Sequence, residues 1–190
     1  MAKPKIATHD SATGEKAKNF LSWIMIPFAR TQSKTIKEQY EAGARMFDLR
    51  IRKSKNIWHM AHGLFMTKKT FVDILKELSS FGETCYILVT YEGKLVEEEE
   101  LAKFISQVNY LKETYPKIKW GPVAVKYTDN DAVVDWKTIL PAKFPKNEQA
   151  FLPLDGKHWQ TLLPIPWFWK QFYFKHVEFD TDIYKFVDFL

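Results

Sequence analysis

The sequence predicts an α/β fold in which β-strands and α-helices alternate along the first half of the chain. Residues 86–90 form a continuous apolar run, which is typical of a strand buried on both faces. Segments 70–81 and 95–114 place apolar residues three or four positions apart, which is the spacing of a helix. Strands that alternate with helices in this way indicate a parallel sheet.

The predicted elements follow one another from the amino terminus. They are strand 5–8, a connection 11–35, helix 36–42, strand 45–51, strand 57–61, helix 70–81, strand 86–90, helix 95–114, candidate strands 123–127, 138–141 and 150–153, and a final strand 184–190. Gly43 ends the first helix, and Thr70 is a suitable N-cap for the second. Acidic residues 97–100 favour the start of the third helix, where the helix dipole is positive.

Seven or eight strands with intervening helices favour a sheet that closes into a barrel. A full (β/α)₈ barrel usually needs at least ~200 residues, and this chain has 190. We therefore expect one domain over residues 1–190, built as a compact, irregular (β/α)₈ TIM-type barrel with shortened or missing helices. The last strand of such a barrel pairs with the first.

The composition is that of an ordinary globular protein with a modest excess of lysine. The net charge is +5, and the four arginines are Arg30, Arg45, Arg50 and Arg52. A lysine excess suits an anionic membrane surface or nucleic acid equally well, or serves only to keep the surface soluble. The single cysteine, Cys85, excludes an intrachain disulfide and a cysteine-rich metal site.

Targeting signals are weak. No stretch approaches the roughly 18 apolar residues of a membrane span, and residues 1–5 lack the apolar segment of a signal peptide. We expect either an intracellular protein or a secreted one whose leader has been removed. The basic residues are scattered rather than aligned on one helix, so we expect no nucleic-acid partner, and we expect a monomer.

Titratable residues stand at the ends of three predicted strands. His9 follows the first strand, Asp48 and Arg50 share one face of the second, and His62 follows the third. In a parallel barrel the carboxyl ends of neighbouring strands meet, so these side chains should converge. Asp188, in the final strand, should lie beside His9 because that strand pairs with the first.

The order and spacing of these residues resemble a known family. The matching segments are His9-Asp10-Ser11, residues 43–50 (Gly-Ala-Arg-Met-Phe-Asp-Leu-Arg) and His62-Gly63, with Asp188 near the end. They are similar to metal-independent, bacterial-type phosphatidylinositol-specific phospholipase C, an X-domain-like phosphodiesterase family. The resemblance is dense over residues 5–80, plausible at 184–190 and weak between them.

The resemblance implies catalysis by two histidines. His9 would be the general base, oriented by Asp188, and His62 the general acid, with Asp10 as its partner. The 2-hydroxyl of inositol would attack phosphorus, releasing diacylglycerol and a cyclic inositol phosphate.

The same resemblance assigns roles to two further residues, and the sequence offers two candidates for substrate contact. Arg50 would hold a non-bridging phosphate oxygen, and Asp48 would position Arg50 or a substrate hydroxyl. We expect Tyr91 and Asp155 to contact substrate, although a turn carboxylate is an equally good reading of Asp155.

The positive charge of Arg50 also bears on cofactors. Calcium-dependent relatives carry a carboxylate-rich set in this region, whereas a fixed guanidinium would repel a divalent ion. We therefore expect no metal and no other cofactor. The bacterial enzymes carry a lysine pair after the fourth strand, where this chain has Thr90-Tyr91-Glu92-Gly93-Lys94, and this chain has no arginine after Arg52. These departures lie on the side of the predicted site that would bind the inositol ring, so they bear on head-group specificity rather than on phosphodiester cleavage.

Aromatic clusters predict where the protein would meet a membrane. Trp23 and Ile24 lie in the connection after the first strand, and Trp167 and Trp169 precede the last strand. Trp and apolar residues beside lysines suit the water–lipid boundary. The alternative is that these side chains cap a barrel that is short of helices.

The leading hypothesis is a phospholipase C-like enzyme, a phosphoric diester hydrolase or phosphorus–oxygen lyase, that acts on phospholipid at a membrane surface. One alternative keeps the phosphodiester chemistry but acts on another head group or a soluble glycerophosphodiester. A second alternative is a non-catalytic lipid- or phosphate-binding barrel, which the small size favours and the two histidines disfavour.

Overall fold

A computed structural model describes residues 5–93, 98–128, 134–140, 176–179 and 182–187. Its strands are β1 Lys5–Thr8, β2 Ala44–Ser54, β3 Ile57–His62, β4 Phe65–Thr70, β5 Cys85–Tyr91, β6 Ile118–Thr128, β7 Val134–Leu140, β8 His176–Phe179 and β9 Asp182–Val187. Its helices are α1 Phe20–Ile24, α2 Ile26–Ala29, α3 Ile36–Glu41, α4 Phe71–Ser80 and α5 Glu98–Thr114, with a 3₁₀ turn at Ser11–Gly14.

All nine strands belong to one mixed sheet, so the predicted α/β class is confirmed. The main order is β7-β6-β5-β2-β1-β9-β8, and β3 pairs with β2 and β4. The central pairs β6–β5, β5–β2, β2–β1 and β1–β9 are parallel. Among the described strands the sheet ends at β7 and β8 and does not close, so the complete barrel remains a prediction.

The last strand pairs with the first, as the sequence predicts. β9 runs parallel to β1 and brings Val187 opposite Thr8. The structure describes the final strand from Asp182 to Val187, and an unpredicted strand, β8, pairs with it as a hairpin. Asp188 and the candidate strand 150–153 lie outside the described residues.

The prediction that His62 ends a third parallel strand is wrong. β3 runs antiparallel to β2, with Ile51 opposite Met60, and continues into β4. The cause is the connection, because β2 and β3 are joined by two residues only, Lys55 and Asn56, with φ of 50° and 61°. A two-residue loop with positive φ makes a hairpin, whereas a parallel crossover needs a dozen residues or more.

The hairpin pairs with the part of β2 that extends beyond β1. The β1 register ends at Phe47, while β2 continues to Ser54. β3 therefore pairs with the protruding half of β2 and returns toward the carboxyl end of β1. This geometry still delivers His62 to the same end of the sheet as His9.

Helix α4 forms where the sequence predicts a helix over 70–81. Thr70 is the N-cap, and its side chain and that of Asp73 make a reciprocal capping box. Phe71, Ile74, Leu75 and Leu78 are buried against the sheet, which fixes the helix on one face. A similar box, formed by Thr35 and Glu38, starts α3.

The alternation of β2 separates the core from the polar end of the sheet. Phe47, Leu49 and Ile51 join the hydrophobic core that also contains α4 and α5. Asp48 and Arg50 point to the other face, as the two-residue period of a strand requires. They are also buried, so the fold holds two ionisable groups away from bulk water.

Candidate active site

Six polar side chains meet at the carboxyl end of the central strands. Five of them are predicted catalytic residues, and the sixth, a glutamate, was not predicted. They are His9, Asp10, Asp48, Arg50, His62 and Glu92. β1 supplies the first pair, β2 the next pair, the β3–β4 hairpin supplies His62, and the end of β5 supplies Glu92.

The guanidinium of Arg50 stands at the centre of this cluster. Its Nε contacts Asp10 Oδ1, Nη2 donates to Asp48 Oδ2 at 3.5 Å, and Nη1 lies 3.5 Å from Glu92 Oε1. Burial lowers the pKa of Arg50, but these three carboxylates more than offset that effect and raise it above its ordinary value. Nη2 also lies 2.8 Å from His9 Nε2, so the cation reaches the first histidine directly.

The contact with Arg50 defines the protonation of His9. A guanidinium has only donors, so His9 Nε2 accepts this hydrogen bond and the ring proton is on Nδ1. Nδ1 lies 3.6 Å from Asp10 Oδ2. The backbone is held as well, because Gln32 Nε2 and Thr31 Oγ1 both donate to the His9 carbonyl at 3.0 Å. His9 is thus presented as a neutral imidazole with an unprotonated Nε2.

His62 is oriented through its Nδ1 atom. That atom lies 2.8 Å from the carbonyl oxygen of Ala29 and 3.1 Å from Asp10 Oδ2. Both neighbours are acceptors, so Nδ1 carries a proton and Nε2 is the nitrogen available for chemistry. Asp10 therefore lies between the two imidazoles and also contacts Arg50, which explains why one buried carboxylate organises three functional side chains.

Asp48 is a buried carboxylate whose pKa is set by desolvation and by its charged neighbours. Burial raises its pKa, and the charge of Asp10 raises it further, while Arg50 and His9 lower it. The net effect is a pKa above the ordinary value for an aspartate. Asp48 Oδ2 accepts from the backbone N–H of Asp10 at 3.2 Å and lies 3.8 Å from His9 Nε2. Asp48 thus fixes the His9-Asp10 segment as well as Arg50.

Glu92 is the residue that sequence reasoning missed. It is buried, its Oε2 accepts from the Gly63 N–H at 2.6 Å, and its backbone carbonyl accepts from Arg52 Nε at 2.8 Å. It links the turn after His62 to Arg50. The available signal was its place directly after β5, at the end of the sheet where functional side chains gather.

The cluster also offers a set of atoms that could hold a cation. His9, Asp10 and Asp48 each present one ligand atom, and the three atoms lie within 4.8 Å of one another. The Arg50 guanidinium contacts all three of these residues, so a fixed positive charge already occupies the centre of the set. The residues present fit an arginine better than a divalent ion.

Tyr91 is not brought into this cluster. It pairs with Ile51 on the face opposite Arg50, and its ring packs against Phe104 with centroids 5.1 Å apart. Burial raises the pKa of its hydroxyl. Its neighbour Thr90 is the buried residue in register with Arg50. The predicted substrate contact of Tyr91 therefore has no support from its position.

Other predicted residues fall outside the part of the chain that is described. Asp155, Trp167, Trp169 and Asp188 all belong to this group. The proposed partnership of Asp188 with His9 accordingly remains a prediction.

Helix α1 presents exposed apolar side chains beside the cluster. Those of Phe20, Leu21, Trp23 and Ile24 on α1 are exposed, as are those of Phe28 on α2 and Leu64 in the turn between β3 and β4. The helix is tied to the hairpin through Ser22 Oγ, which accepts from Met66 N–H at 3.2 Å, and α2 is tied to it through the Ala29–His62 contact. No helix in the described ranges is long and apolar enough to span a bilayer.

Comparison with known proteins gives matches among solved structures alone. No protein-family model and no curated protein matches the chain. A phosphatidylinositol-specific phospholipase C from Listeria monocytogenes has 17% identity, with 75% of this chain and 58% of that one covered and a TM-score of 0.48.

Two structures of the Staphylococcus aureus enzyme of the same name give similar values. A variant has 22% identity, covers 63% of this chain and 48% of its own, and has a TM-score of 0.45. A second structure, concerned with membrane binding, has 21% identity, covers 70% of this chain and 54% of its own, and has a TM-score of 0.43. The chain spans about half the length of these enzymes, and its function is argued below from its own residues.

Proposed function

We propose that the chain is a metal-independent phosphodiesterase that cleaves phosphatidylinositol by acid–base catalysis with two histidines. The observation that carries the proposal is the shared contact of Asp10 with Arg50 and with both imidazoles. A protein that only binds phosphate needs cations. It does not need two imidazoles with defined and complementary protonation around one guanidinium.

His9 is suited to accept a proton. Its unprotonated Nε2 would take the proton of the inositol 2-hydroxyl as that oxygen forms a bond to phosphorus. Arg50 Nη2 donates a hydrogen bond to this nitrogen. When a phosphate enters, the same N–H can turn to a non-bridging oxygen, which frees His9 and places positive charge where the negative charge of the transition state develops.

His62 is suited to donate a proton. Its Nδ1 is held by Ala29 and Asp10, so an imidazolium would donate from Nε2 to the glycerol oxygen as the bond from phosphorus to that oxygen breaks. The products are diacylglycerol and a cyclic inositol phosphate. His9 gains one proton and His62 loses one, so the two rings exchange states. Each proton transfer contributes roughly 10²–10⁴ to the rate.

The membrane part of the proposal rests on α1. Trp23 is 61% exposed and Ile24 is 44% exposed, and both stand on a helix joined to the hairpin that carries His62. Apolar side chains presented in this way suit the boundary between water and lipid. Contact there would bring a lipid phosphate to the cluster without removing the lipid from its bilayer.

A second candidate is a phosphodiesterase for a different head group. Thr90 is the buried β5 residue beside Arg50, and Tyr91 points to the opposite face of the sheet. Among the described residues, the end of β5 therefore places no lysine beside Arg50. A neutral threonine at this position would suit a head group whose binding depends less on cationic contacts than that of the inositol head group implied by the resemblance.

The deciding experiment is turnover of phosphatidylinositol vesicles followed by ³¹P NMR with EDTA present. The proposal expects a cyclic phosphate signal, its loss in His9→Ala and His62→Ala, and an unchanged rate in Lys76→Gln, an exposed α4 residue outside the cluster. Turnover of vesicles carrying another phospholipid head group, without turnover of phosphatidylinositol, would support the second candidate. No turnover of any phosphodiester by the folded protein would leave only a binding role.

A further inference from the structure

A recess lies beside α1, separate from the cluster around Arg50. Its volume is about 520 Å³, and its lining includes Gly14, Lys16, Asn19, Phe20, Trp23 and Arg30. None of these residues belongs to the cluster of six side chains around Arg50. The recess is therefore not part of the proposed catalytic site.

A guanidinium lines this recess in a fixed orientation. Arg30 Nε donates to the Gln32 carbonyl at 2.9 Å, and Nη2 donates to the carbonyls of Ser33 at 3.1 Å and Gly14 at 3.3 Å. These contacts use two of its three nitrogens, and among the described residues no acceptor pairs with Nη1. A side chain already held in place loses little conformational freedom when it binds a ligand.

The local charge of the recess is positive. Lys16 is its second cation, and Glu15 is an acidic residue in the lining. The Glu15 carboxylate is compensated, because Oε1 accepts from Lys69 Nζ at 3.0 Å and from the Ile36 N–H at 3.1 Å. No acidic side chain among the described residues pairs with Lys16 or Arg30, so their charges favour an anionic occupant.

The outer wall of the recess is aromatic. Phe20 and Trp23 stack with centroids 6.0 Å apart and an interplanar angle of 17°. Both rings are more than half exposed, although they are large and apolar. A ligand that fits both parts is an anion covalently attached to an apolar group, since a free ion would leave the rings in water.

We propose that the recess binds the phosphate of an anionic phospholipid that is not the substrate, while Phe20 and Trp23 enter the lipid boundary. The forked N–H groups of Arg30 match phosphate oxygens, and Lys16 adds a mobile second charge. The inference deepens the proposed function, on which it rests for placing α1 at a membrane. It assigns the protein a preference for anionic bilayers that is independent of turnover.

Vesicle binding with matched variants tests this site. The probes are phosphatidylcholine vesicles with and without phosphatidylglycerol, and neither contains inositol lipid. We expect Lys16→Gln to weaken binding to the anionic vesicles about fivefold, the order expected for the loss of one basic charge near an anionic surface. Arg30→Lys keeps its charge but loses a forked hydrogen bond to phosphate, and it should weaken binding by about the same factor. Lys76→Gln removes the same charge from exposed α4 and should change binding less than twofold.

Arg30→Lys is the sharper variant because it keeps the charge and loses only the forked geometry. If it binds as the wild type does, or if Lys76→Gln weakens binding as much as Lys16→Gln, diffuse attraction explains the data and the site is refuted. Circular dichroism checks that each variant is folded. Turnover of a water-soluble inositol phosphodiester by the wild type tests the proposed function separately, so either idea can fail alone.

A second measurement locates the ligand. Dihexanoyl phosphatidylglycerol, kept below its micelle concentration, should cause saturable NMR shifts of the Arg30 Nε–H and the Trp23 indole N–H together. Shifts at Trp23 alone would mean that the helix only inserts apolar side chains, and the phosphate site would then be wrong.

Discussion

Replacing Glu92 by glutamine tests whether this buried carboxylate positions the catalytic groups. Glutamine has the same shape but no charge. It keeps an oxygen for the Gly63 N–H, which donates to Oε2 at 2.6 Å, but it removes the negative partner of Arg50 at 3.5 Å and of Arg52 at 3.9 Å. Glu92 is buried, so its charge is little screened by solvent.

The expected magnitude follows from that burial. Removing one partner of a buried ion pair costs about 3–5 kcal/mol. For a chain of this length, each kcal/mol lowers Tm by about 2–4 °C, so a fall of roughly 6–20 °C is expected. Loss of the tether should also move the turn after His62, and a small misplacement of a reacting group costs about 10² in rate. We expect kcat to fall about 100-fold and KM to change little.

The assay pairs thermal unfolding with turnover of a soluble inositol phosphodiester. Glu77→Gln is the matched control, because Glu77 pairs with Lys69 at 2.6 Å outside the cluster. It should lower Tm slightly and leave kcat unchanged. Glu92→Asp, which keeps the charge, should recover part of the lost rate. If Glu92→Gln lowers Tm as expected but retains the wild-type kcat, Glu92 is only structural and the reasoning fails.

Three further changes test the fold and its electrostatics. Burial raises the pKa of Asp48 above its ordinary value, so the folded state binds this proton more tightly, and stability is lost as pH rises from the unfolded-state pKa towards the folded-state pKa. Asp48→Asn removes this pH-dependent loss, so the Tm of the variant minus that of the wild type should be more positive at pH 7 than at pH 4, while turnover falls; a difference that is more negative at pH 7 would contradict this. Gly14→Ala should prevent folding or lower Tm severely, because its Cβ would lie 1.9 Å from the Lys34 carbonyl oxygen, and a stable alanine variant would show that this contact is wrong. Leu75→Ala should cost about 2–5 kcal/mol in urea unfolding, since Leu75 is fully buried in the core, and a cost below 1 kcal/mol would place it elsewhere.

Local periodicity was the part of the fold that could be predicted from sequence. The alternation of β2 correctly separates Asp48 and Arg50 from Phe47 and Leu49, because a strand has a fixed two-residue period. The apolar spacing of α4 likewise gives its buried face. Both depend only on neighbours along the chain.

The hairpin and Glu92 could not be predicted in the same way. Lys55-Asn56 is a weak turn sequence compared with Asn-Gly, although both residues adopt positive φ. Glu92 follows a strand, and its role depends on Gly63 and Arg50, which are distant in sequence. The two-residue period, applied to β5 as it was to β2, would have placed Tyr91 on the face of the hydrophobic core and Thr90 beside Arg50.

The roles of the two histidines are tested most directly by changing the leaving group. An inositol phosphate ester of p-nitrophenol releases a weakly basic anion that needs no proton, whereas an alkyl ester needs one. We predict that His62→Ala loses nearly all activity on the alkyl ester but retains most of it on the p-nitrophenyl ester, while His9→Ala fails on both. Equal losses by His62→Ala on the two esters would contradict its assignment as the general acid.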